Sequence, residues 1–347
     1  MSQIICKKCV MDLSAKEITF DENGVCNFCH QAQKALKEIE AEKHNLPKII
    51  AQIKKVGKKY DCLVGLSGGV DSSTALHHAV KLGLRPLCFN VDTGYNKPDA
   101  DSNILKIVEK LKVPFYRYTI DLKKFKKLQA AFLKAGVPNV EIPTDHVLLA
   151  VSMEMAHKYG IGWIVSGGNV ASESIMPPSW GYLARDLVHI KDIYMAEVNI
   201  LSWHELTKKL PVCGLLKWNW RKWVNGIKTL YLLDFLDYNR VEAEKMLIKE
   251  YGFVSTGEKH EENFYTWWFQ NFYLYEKFGI DKRKAHYSSL INSGQMTRYD
   301  AMEKLKQTPE YPLLGIESKV MKYPTTSHEN FKKDNYEFIA GLVKCLF

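Results

Sequence analysis

Short apolar runs alternate with amphipathic stretches through the first two-thirds of the chain. Apolar runs bounded by glycine or proline indicate buried strands, and apolar residues at helical spacing indicate helices that cover a sheet. The strand-like runs are 61–66, 86–91, 115–120 and 161–165, and the helical patterns are 71–82, 104–111, 122–135 and 145–159. Alternating strands and helices predict an α/β fold with a parallel sheet and right-handed crossovers.

The pattern divides the chain into three regions. Residues 1–59 carry four cysteines, followed by two predicted helices that Pro47 separates. Residues 60–202 contain the predicted sheet and form a nucleotide-binding α/β domain. Residues 203–347 are helical in pattern and rich in aromatic residues, and we expect this region to close over the sheet.

Composition narrows the class of protein. Of 347 residues, 46% are hydrophobic and 25% are charged, which is typical of a globular protein. No apolar run reaches the roughly 18 residues of a membrane span. The first residues also lack the features of a signal peptide, so we expect a cytoplasmic protein without a membrane partner. The net charge of +9 suits a nucleic acid, a nucleotide or an acidic sugar, but the basic residues are dispersed, as in an ordinary basic enzyme.

The segment after the first predicted strand has the chemistry of a phosphate site. It reads Leu66-Ser-Gly-Gly-Val-Asp-Ser-Ser-Thr74, in which glycines allow close approach to an anion and a helix N-terminus presents free N–H groups. A Gly-Lys-Ser/Thr ending is absent, which argues against transfer of a γ-phosphoryl group. Asp71 is predicted to hold Mg²⁺ against a pyrophosphate leaving group. The residues predicted to bind the nucleotide here are Leu66, Ser67, Gly68, Gly69, Asp71, Ser72 and Ser73.

The N-terminal cysteines have the spacing of a metal site. Cys6 and Cys9 form one Cys-x-x-Cys pair, and Cys26 and Cys29 form a second pair after 16 intervening residues. Two such pairs supply four thiolates for tetrahedral zinc that is closed to water, so the predicted role of the metal is structural. Cys62 and Cys88 fall in predicted strands and are predicted to be core residues.

The phosphate segment resembles a known signature. Ser67–Ser72 matches the PP-loop of ATP pyrophosphatases, enzymes that cleave ATP to pyrophosphate and an adenylated intermediate. Residues 89–94, which include Asp92, resemble the segment of that superfamily that contacts adenosine. Gly167, Gly168 and Asn169 end the fourth predicted strand at the same sheet edge, where parallel sheets bind ligands. The resemblance therefore implies that these residues contact ATP.

A second resemblance covers nearly the whole chain. The matching segments are 6–12, the PP-loop, 168–173, 257–262, 277–286 and 288–298, and they are similar to the N-acetyl sugar amidotransferase family of surface-polysaccharide and flagellin-glycan synthesis. Donor-rich segments at 259–260 and 282–286 also suit carboxylate and diphosphate groups. The site residues implied are Asp71, Lys259, His260 and Arg283 for catalysis, and Glu173, Lys282, Lys284 and His286 for the substrate. Trp267, Trp268 and Phe269 offer faces for a sugar or base.

The family resemblance implies a reaction and partners. The acetamido oxygen of a UDP-linked N-acetyl sugar attacks the α-phosphorus of ATP, ammonia then attacks the activated carbon, and AMP departs from the acetamidino product. Ammonia is expected from a separate subunit similar to the histidine-biosynthesis glutaminase, with a cyclase-like subunit beside it. ATP, Mg²⁺ and structural Zn²⁺ are the expected cofactors, and a nucleic acid is not the expected partner.

Two alternatives remain at this point. The zinc site and the basic charge also fit an RNA-modifying thiolase, although the additional cysteines that such enzymes carry near the PP-loop are absent from this sequence. A nucleotide-sensing module without catalytic activity is the third interpretation.

Overall fold

A computed structural model describes residues 4–56, 58–198, 200–224 and 226–334. Cys345 lies outside the described residues. The helices are α1 (Asn27–Glu42), α2 (Leu46–Val56), α3 (Val70–Lys81), α4 (Pro98–Leu111), α5 (Leu122–Ala135), α6 (Ile142–Tyr159), α7 (Val170–Glu173), α8 (Leu187–Glu197), α9 (Ile200–Thr207), α10 (Leu215–Val224), α11 (Arg240–Tyr251), α12 (Phe264–Trp268), α13 (Leu274–Phe278), α14 (Lys282–Asn292), α15 (Arg298–Leu305) and α16 (Glu317–Met321). A π-helical turn, Phe269–Tyr273, joins α12 to α13.

Five parallel strands form one sheet in the order β3-β2-β1-β4-β5. The strands are β1 (Cys62–Gly65), β2 (Pro86–Asp92), β3 (Phe115–Thr119), β4 (Trp163–Ser166) and β5 (Lys228–Tyr231). The structure confirms the four strands that the sequence predicts. It adds β5 from the region with a helical pattern, because this four-residue edge strand buries only Leu230 and so lacks the apolar run that marks a strand.

The sheet has helices on both faces. Leu63 of β1 belongs to a core with Phe125 of α5 and Trp268 of α12. Its neighbour Val64 points to the opposite core, which contains Leu76 of α3 and Leu247 of α11. Successive residues of a strand face opposite sides, so these two cores enclose the sheet as the α/β pattern requires.

The N-terminal cysteine segment packs against the C-terminal helices. The backbone N–H of Val10 donates to Ser288 Oγ of α14 at 3.2 Å. Arg298 of α15 donates to the carbonyl oxygens of Cys6 and Cys9. These contacts join the two ends of the chain, so the cysteine segment supports the helix that carries Lys282.

Within the described part of the chain, we find no helix with the length and apolar character that crossing a membrane requires.

Candidate active site

The phosphate loop connects β1 to α3, as the sequence predicts. Gly68 has φ +81°, and a Cβ atom there would lie 2.2 Å from the carbonyl oxygen of Ala100. A Cβ on Gly167 would lie 2.7 Å from the backbone of Asp71, so the loop after β4 packs directly on the phosphate loop. No side chain caps the N-terminus of α3. The first turn of α3 therefore retains the N–H groups that attract an anion.

A cavity of about 800 Å³ opens at this end of the sheet. Its lining includes the phosphate loop, the ends of β2 and β4 and the residues that follow these strands. The lining also includes the start of α6, the loop 176–183 and residues of α12 and α14. The phosphate loop and these more distant segments therefore share one cavity.

Asp71 is the centre of a charged network beside the phosphate loop. Its Oδ2 accepts from Lys259 Nζ at 2.6 Å, its Oδ1 accepts from the Tyr238 hydroxyl, and Arg240 lies 3.8 Å from the carboxylate. Lys259 Nζ also lies 2.9 Å from Glu173. Burial would raise the pKa of Asp71, but the charges of Lys259 and Arg240 outweigh it and lower that pKa. All of these side chains are therefore charged or hydrogen-bonded around the phosphate loop.

His260 lies beside this network in an unusual backbone conformation. It has φ +68°, a left-handed conformation that is uncommon for residues other than glycine. Burial, followed by the charge of Lys259, lowers the pKa of His260 to about 4. The imidazole that lines the cavity is therefore neutral near pH 7, and a strained backbone at such a position is typical of a functional site.

The cavity lining also contains acidic groups that the sequence analysis did not identify. Glu141 and Asp145 line the cavity from the start of α6, and Lys282 of α14 lines it as well. Burial and then the charge of Asp145 raise the pKa of Glu141 to about 8. Burial lowers the pKa of Lys282 to about 8, against the opposing charge of Asp145.

Many of the predicted site residues do meet in the cavity. These residues are Leu66, Ser67, Gly69, Asp71, Ser72, Gly167, Gly168, Glu173, Lys259, His260 and Lys282. Arg240, Tyr238 and Glu141 also belong to the site, but they carry no local motif, because only the fold brings their segments to the phosphate loop.

Four predicted ATP contacts lie outside the cavity lining. Gly68 packs against the backbone of Ala100, where a side chain would not fit, so its role is to allow the conformation of the loop. Ser73 is a fully buried residue of α3. Asp92 Oδ1 accepts from the backbone N–H of Gly94, and Asn169 Oδ1 accepts from Ser172 N at the start of α7. These contacts hold the loops in place. The lining near the end of β2 is provided instead by Phe89, Asn90 and Val91 of the strand and by Thr93 after it.

Three predicted residues of α14 also lie outside the main cavity. Arg283 makes two hydrogen bonds to Asp281 and one to the carbonyl oxygen of Gln307. Lys284 pairs with buried Asp12 of the cysteine segment. His286 lines a smaller neighbouring cavity of about 40 Å³, with its ring centroid 5.4 Å from that of His260. Successive helical residues point about 100° apart, so only Lys282 of this run reaches the main cavity.

Two of the three aromatic side chains predicted to contact the substrate lie outside the cavity lining. Trp268 is fully buried in the core. Trp267 donates its indole N–H to the carbonyl oxygen of Glu310 and has Lys97 over its ring at 3.9 Å. Of the three aromatic residues, Phe269 lines the cavity.

The four N-terminal cysteines form a cluster that could hold a metal ion. All four are fully buried, and their sulfur atoms lie within 4.8 Å of one another. The Cys6–Cys29 and Cys9–Cys26 Sγ distances are 3.9 and 3.7 Å, close to the roughly 3.8 Å between sulfurs that bind tetrahedral zinc at about 2.3 Å. Backbone N–H groups of Cys9 and Cys26 donate to Cys6 Sγ, and Asn292 donates to Cys29 Sγ. The donor set and its spacing therefore fit zinc.

Comparison with known proteins gives a match in the C-terminal region. Residues 262–335 match the family described as LPS biosynthesis protein WbpG-like, C-terminal domain. The match confirms, over these residues, the predicted resemblance to a family of surface-polysaccharide biosynthesis. It covers α12 to α16, including Lys282.

The other similarities are weaker. An uncharacterized protein of Methanocaldococcus jannaschii, MJ1599, is 26% identical over 167 residues, which are 47% of this chain and 58% of that protein. NMN synthetase from Francisella tularensis is 16% identical with a TM-score of 0.30, over 44% of this chain and 60% of that chain. The U34-tRNA thiolase NcsA from Methanococcus maripaludis, solved with its [4Fe-4S] cluster, is 13% identical with a TM-score of 0.33, over 94% of this chain and 98% of that chain. The chain thus spans less than two-thirds of the length of MJ1599 and of the synthetase.

Proposed function

We propose that this protein is an ATP-dependent amidotransferase that converts an N-acetyl group of a UDP-linked sugar to an acetamidino group in surface-glycan synthesis. The observation that carries the proposal is one cavity whose lining includes both a phosphate loop, with Lys259 and Arg240 beside it, and a polar surface that contains Lys282. An enzyme that adenylates a second substrate must hold ATP and that substrate in contact. The family match over 262–335 supports a role in glycan synthesis.

The first step joins the two substrates. The acetamido oxygen attacks the α-phosphorus of ATP, an O–P bond forms, and pyrophosphate leaves. The open N-terminus of α3 and the charges of Lys259 and Arg240 suit the negative charge of the phosphates in this step. His260, which is neutral near pH 7, can donate or accept one hydrogen bond beside them.

The second step replaces the oxygen. Ammonia attacks the activated carbon, a C–N bond forms, the C–O bond to the adenylate breaks, and AMP leaves. We propose that a separate subunit similar to the histidine-biosynthesis glutaminase supplies the ammonia and that a cyclase-like subunit accompanies it. The support for these partners is the sequence resemblance to the sugar amidotransferases.

The predicted magnesium ligand also takes part in the charged network. Each oxygen of Asp71 accepts one hydrogen bond, from Tyr238 and from Lys259. A carboxylate oxygen has two lone pairs, so Asp71 could still bind Mg²⁺, and the ion would stabilise negative charge on the leaving pyrophosphate. We propose that Asp71 also holds Lys259 and Arg240 at the phosphate site. We propose that zinc on the four cysteines has a structural role. With four protein thiolates as ligands, the ion would have no open position for a reactant.

The thiolase alternative has less support from the site. None of the described residues that line the main cavity is a cysteine. A thiolase would need a sulfur carrier within reach of the adenylated substrate.

Mass spectrometry of the product tests the proposal. UDP-linked N-acetyl sugars, including acidic ones, are incubated with the protein, ATP and ammonium chloride. We expect a product in which one oxygen is replaced by NH, together with equimolar AMP and pyrophosphate. Pyrophosphate release that depends on tRNA, and on no sugar, would instead support the thiolase.

A further inference from the structure

Three polar side chains form one wall of the cavity at the start of α6. Glu141 precedes the first turn, and Thr144 and Asp145 lie within it. All three line the cavity, and Glu141 and Thr144 are 7% and 8% exposed. Asp145 is half-buried. Buried polar groups such as those of Glu141 and Thr144 are costly unless they have partners.

Two oxygen atoms of this wall lack a well-formed hydrogen bond to a described residue. Glu141 Oε1 accepts from the hydroxyl of Thr266 at 3.1 Å. The other carboxylate oxygen, Oε2, and the hydroxyl of Thr144 are buried without a well-formed hydrogen bond to any described residue, although Thr144 is near enough to Glu141 to oppose the rise in its pKa. Native proteins seldom leave such groups unpaired. A ligand with N–H groups would satisfy both oxygen atoms.

The wall also has the electrostatics of a proton acceptor. Burial, followed by the charge of Asp145, raises the pKa of Glu141 to about 8. Burial raises the pKa of Asp145 to about 6, although Lys282 opposes the rise. The groups that face Glu141 from other elements are Lys282 of α14 and Tyr265 and Thr266 of α12. Glu141 becomes ionised as the pH rises through 8, and its carboxylate then accepts a proton more readily than an exposed one.

A chain of charges links this wall to the phosphate loop. Lys282 interacts with Glu141 and Asp145 on one side and with Glu173 on the other. Glu173 pairs with Lys259, which in turn holds Asp71 of the loop. The acidic wall and the phosphate loop are therefore two ends of one polar surface within the same cavity.

We propose that Glu141, Thr144 and Asp145 form the subsite for the attacking amine, where Glu141 Oε2 takes the proton that the amine loses. The proposal rests on the proposed function and adds to it the place and the base of the second step. Ammonia uses its nitrogen lone pair to form the C–N bond, and one of its protons passes to Glu141 Oε2. The C–O bond breaks with its electron pair moving to the AMP oxygen, and an amidinium group remains on the sugar, because the nitrogen of the original acetamido group keeps its own proton.

Separating the two steps tests the subsite. Exchange of labelled pyrophosphate into ATP in the presence of a UDP-linked N-acetyl sugar reports adenylation without ammonia. We expect Glu141→Gln to retain this exchange within about threefold and to lower ammonia-dependent AMP formation by on the order of 10²-fold. The matched control is Glu154→Gln, a half-buried carboxylate later on α6 that lies outside the cavity lining, and it should leave both activities unchanged.

A second nucleophile shows whether Glu141 acts as a base or only supports the structure. Hydroxylamine is uncharged near neutral pH and, once it has attacked, gives up its proton to water more easily than ammonia does. We expect Glu141→Gln to lose at least tenfold less activity with hydroxylamine than with ammonia. Equal loss of exchange and of AMP formation, or equal loss with both amines, would overturn the proposal, because Glu141 would then bind the sugar or support the fold. Absence of sugar-dependent exchange in the wild-type protein would instead refute the proposed function itself and this inference with it.

Discussion

Asp71 connects the phosphate loop to residues that are distant in the sequence. We predict that Asp71→Asn lowers pyrophosphate release by on the order of 10²-fold, because Lys259 and Arg240 lose the charge that holds them at the phosphates. The fold should survive, since Lys259 still pairs with Glu173 at 2.9 Å. Pyrophosphate release measures the loss of activity, and circular dichroism shows whether the fold is retained. The control is Asp99→Asn, an exposed carboxylate in the first turn of α4, and near-normal release by Asp71→Asn would contradict the assignment.

Glu141 gives stability a pH dependence that can be measured without any substrate. Its pKa is raised from 4.5 to about 8, mainly by burial. The folded state therefore binds the proton more tightly than the unfolded state. The stability that results is fully present below pH 4.5 and is lost as the pH rises through 8. We predict that the melting temperature of Glu141→Gln improves relative to wild type across this window.

The comparison needs a control because Asp145 and Lys282 titrate nearby. Glu154→Gln, measured over the same pH series, should keep a constant difference in melting temperature from wild type. A constant difference for Glu141→Gln as well would mean that Glu141 does not bind its proton in the folded state.

The sequence predicted the phosphate residues and Lys259 but missed Arg240 and Glu141, for a physical reason. The loop is a local structure, since strand, glycines and helix follow one another in ten residues or so, and each step has its own pattern. Arg240 and Glu141 are ordinary residues in their own segments and become site residues only through the tertiary fold. Lys284 shows the reverse case, because its charge suggested a ligand and the fold pairs it with Asp12.

At the scale of elements, the cysteine cluster stabilises the helix that carries Lys282. Asn292 of α14 donates to Cys29 Sγ, and Arg298 of α15 holds the backbone of Cys6 and Cys9. We predict that Cys26→Ser lowers bound zinc and the melting temperature together, because metal binding contributes folding free energy. Turnover should fall as well, since α14 loses its support. Elemental analysis and thermal unfolding measure the first two effects.

A buried thiol outside the cluster provides the control for this variant. Cys88 is fully buried in β2 and lies outside the four-cysteine cluster. Cys88→Ser should lower stability while zinc content is unchanged. If the protein binds no zinc, or if Cys26→Ser keeps both zinc and stability, the cluster is not a zinc site.

The elements themselves were predictable to different degrees. The helix Leu122–Ala135 agrees with the predicted bounds, because its apolar spacing is regular and Gly136 ends it in a left-handed cap. Strand Lys228–Tyr231 was not predictable, since it is an exposed edge strand whose pairing with Trp163–Ser166 determines its conformation. Periodicity detects elements that bury a face and misses those that the neighbouring strand stabilises.

At the scale of the whole molecule, one cavity is lined by segments from the sheet, from α6 and from the C-terminal helices. The phosphate loop comes from the sheet, Lys282 comes from a helix that rests on the cysteine segment, and Glu141 comes from the start of α6. Such a site depends on the packing of all three regions. The central claim that follows is that the oxygen of an acetamido group is activated by adenylation within this cavity.

The most direct test of that claim follows the oxygen atom. A UDP-linked sugar carrying ¹⁸O in its N-acetyl group is incubated with the protein, ATP and ammonium chloride, and the AMP and the sugar are analysed by mass spectrometry. We expect AMP to gain one ¹⁸O atom, while the sugar loses the ¹⁸O and gains NH. The reason is that the acetamido oxygen attacks the α-phosphorus and leaves with AMP. Release of unlabelled AMP, with ¹⁸O retained in the sugar, would contradict the account.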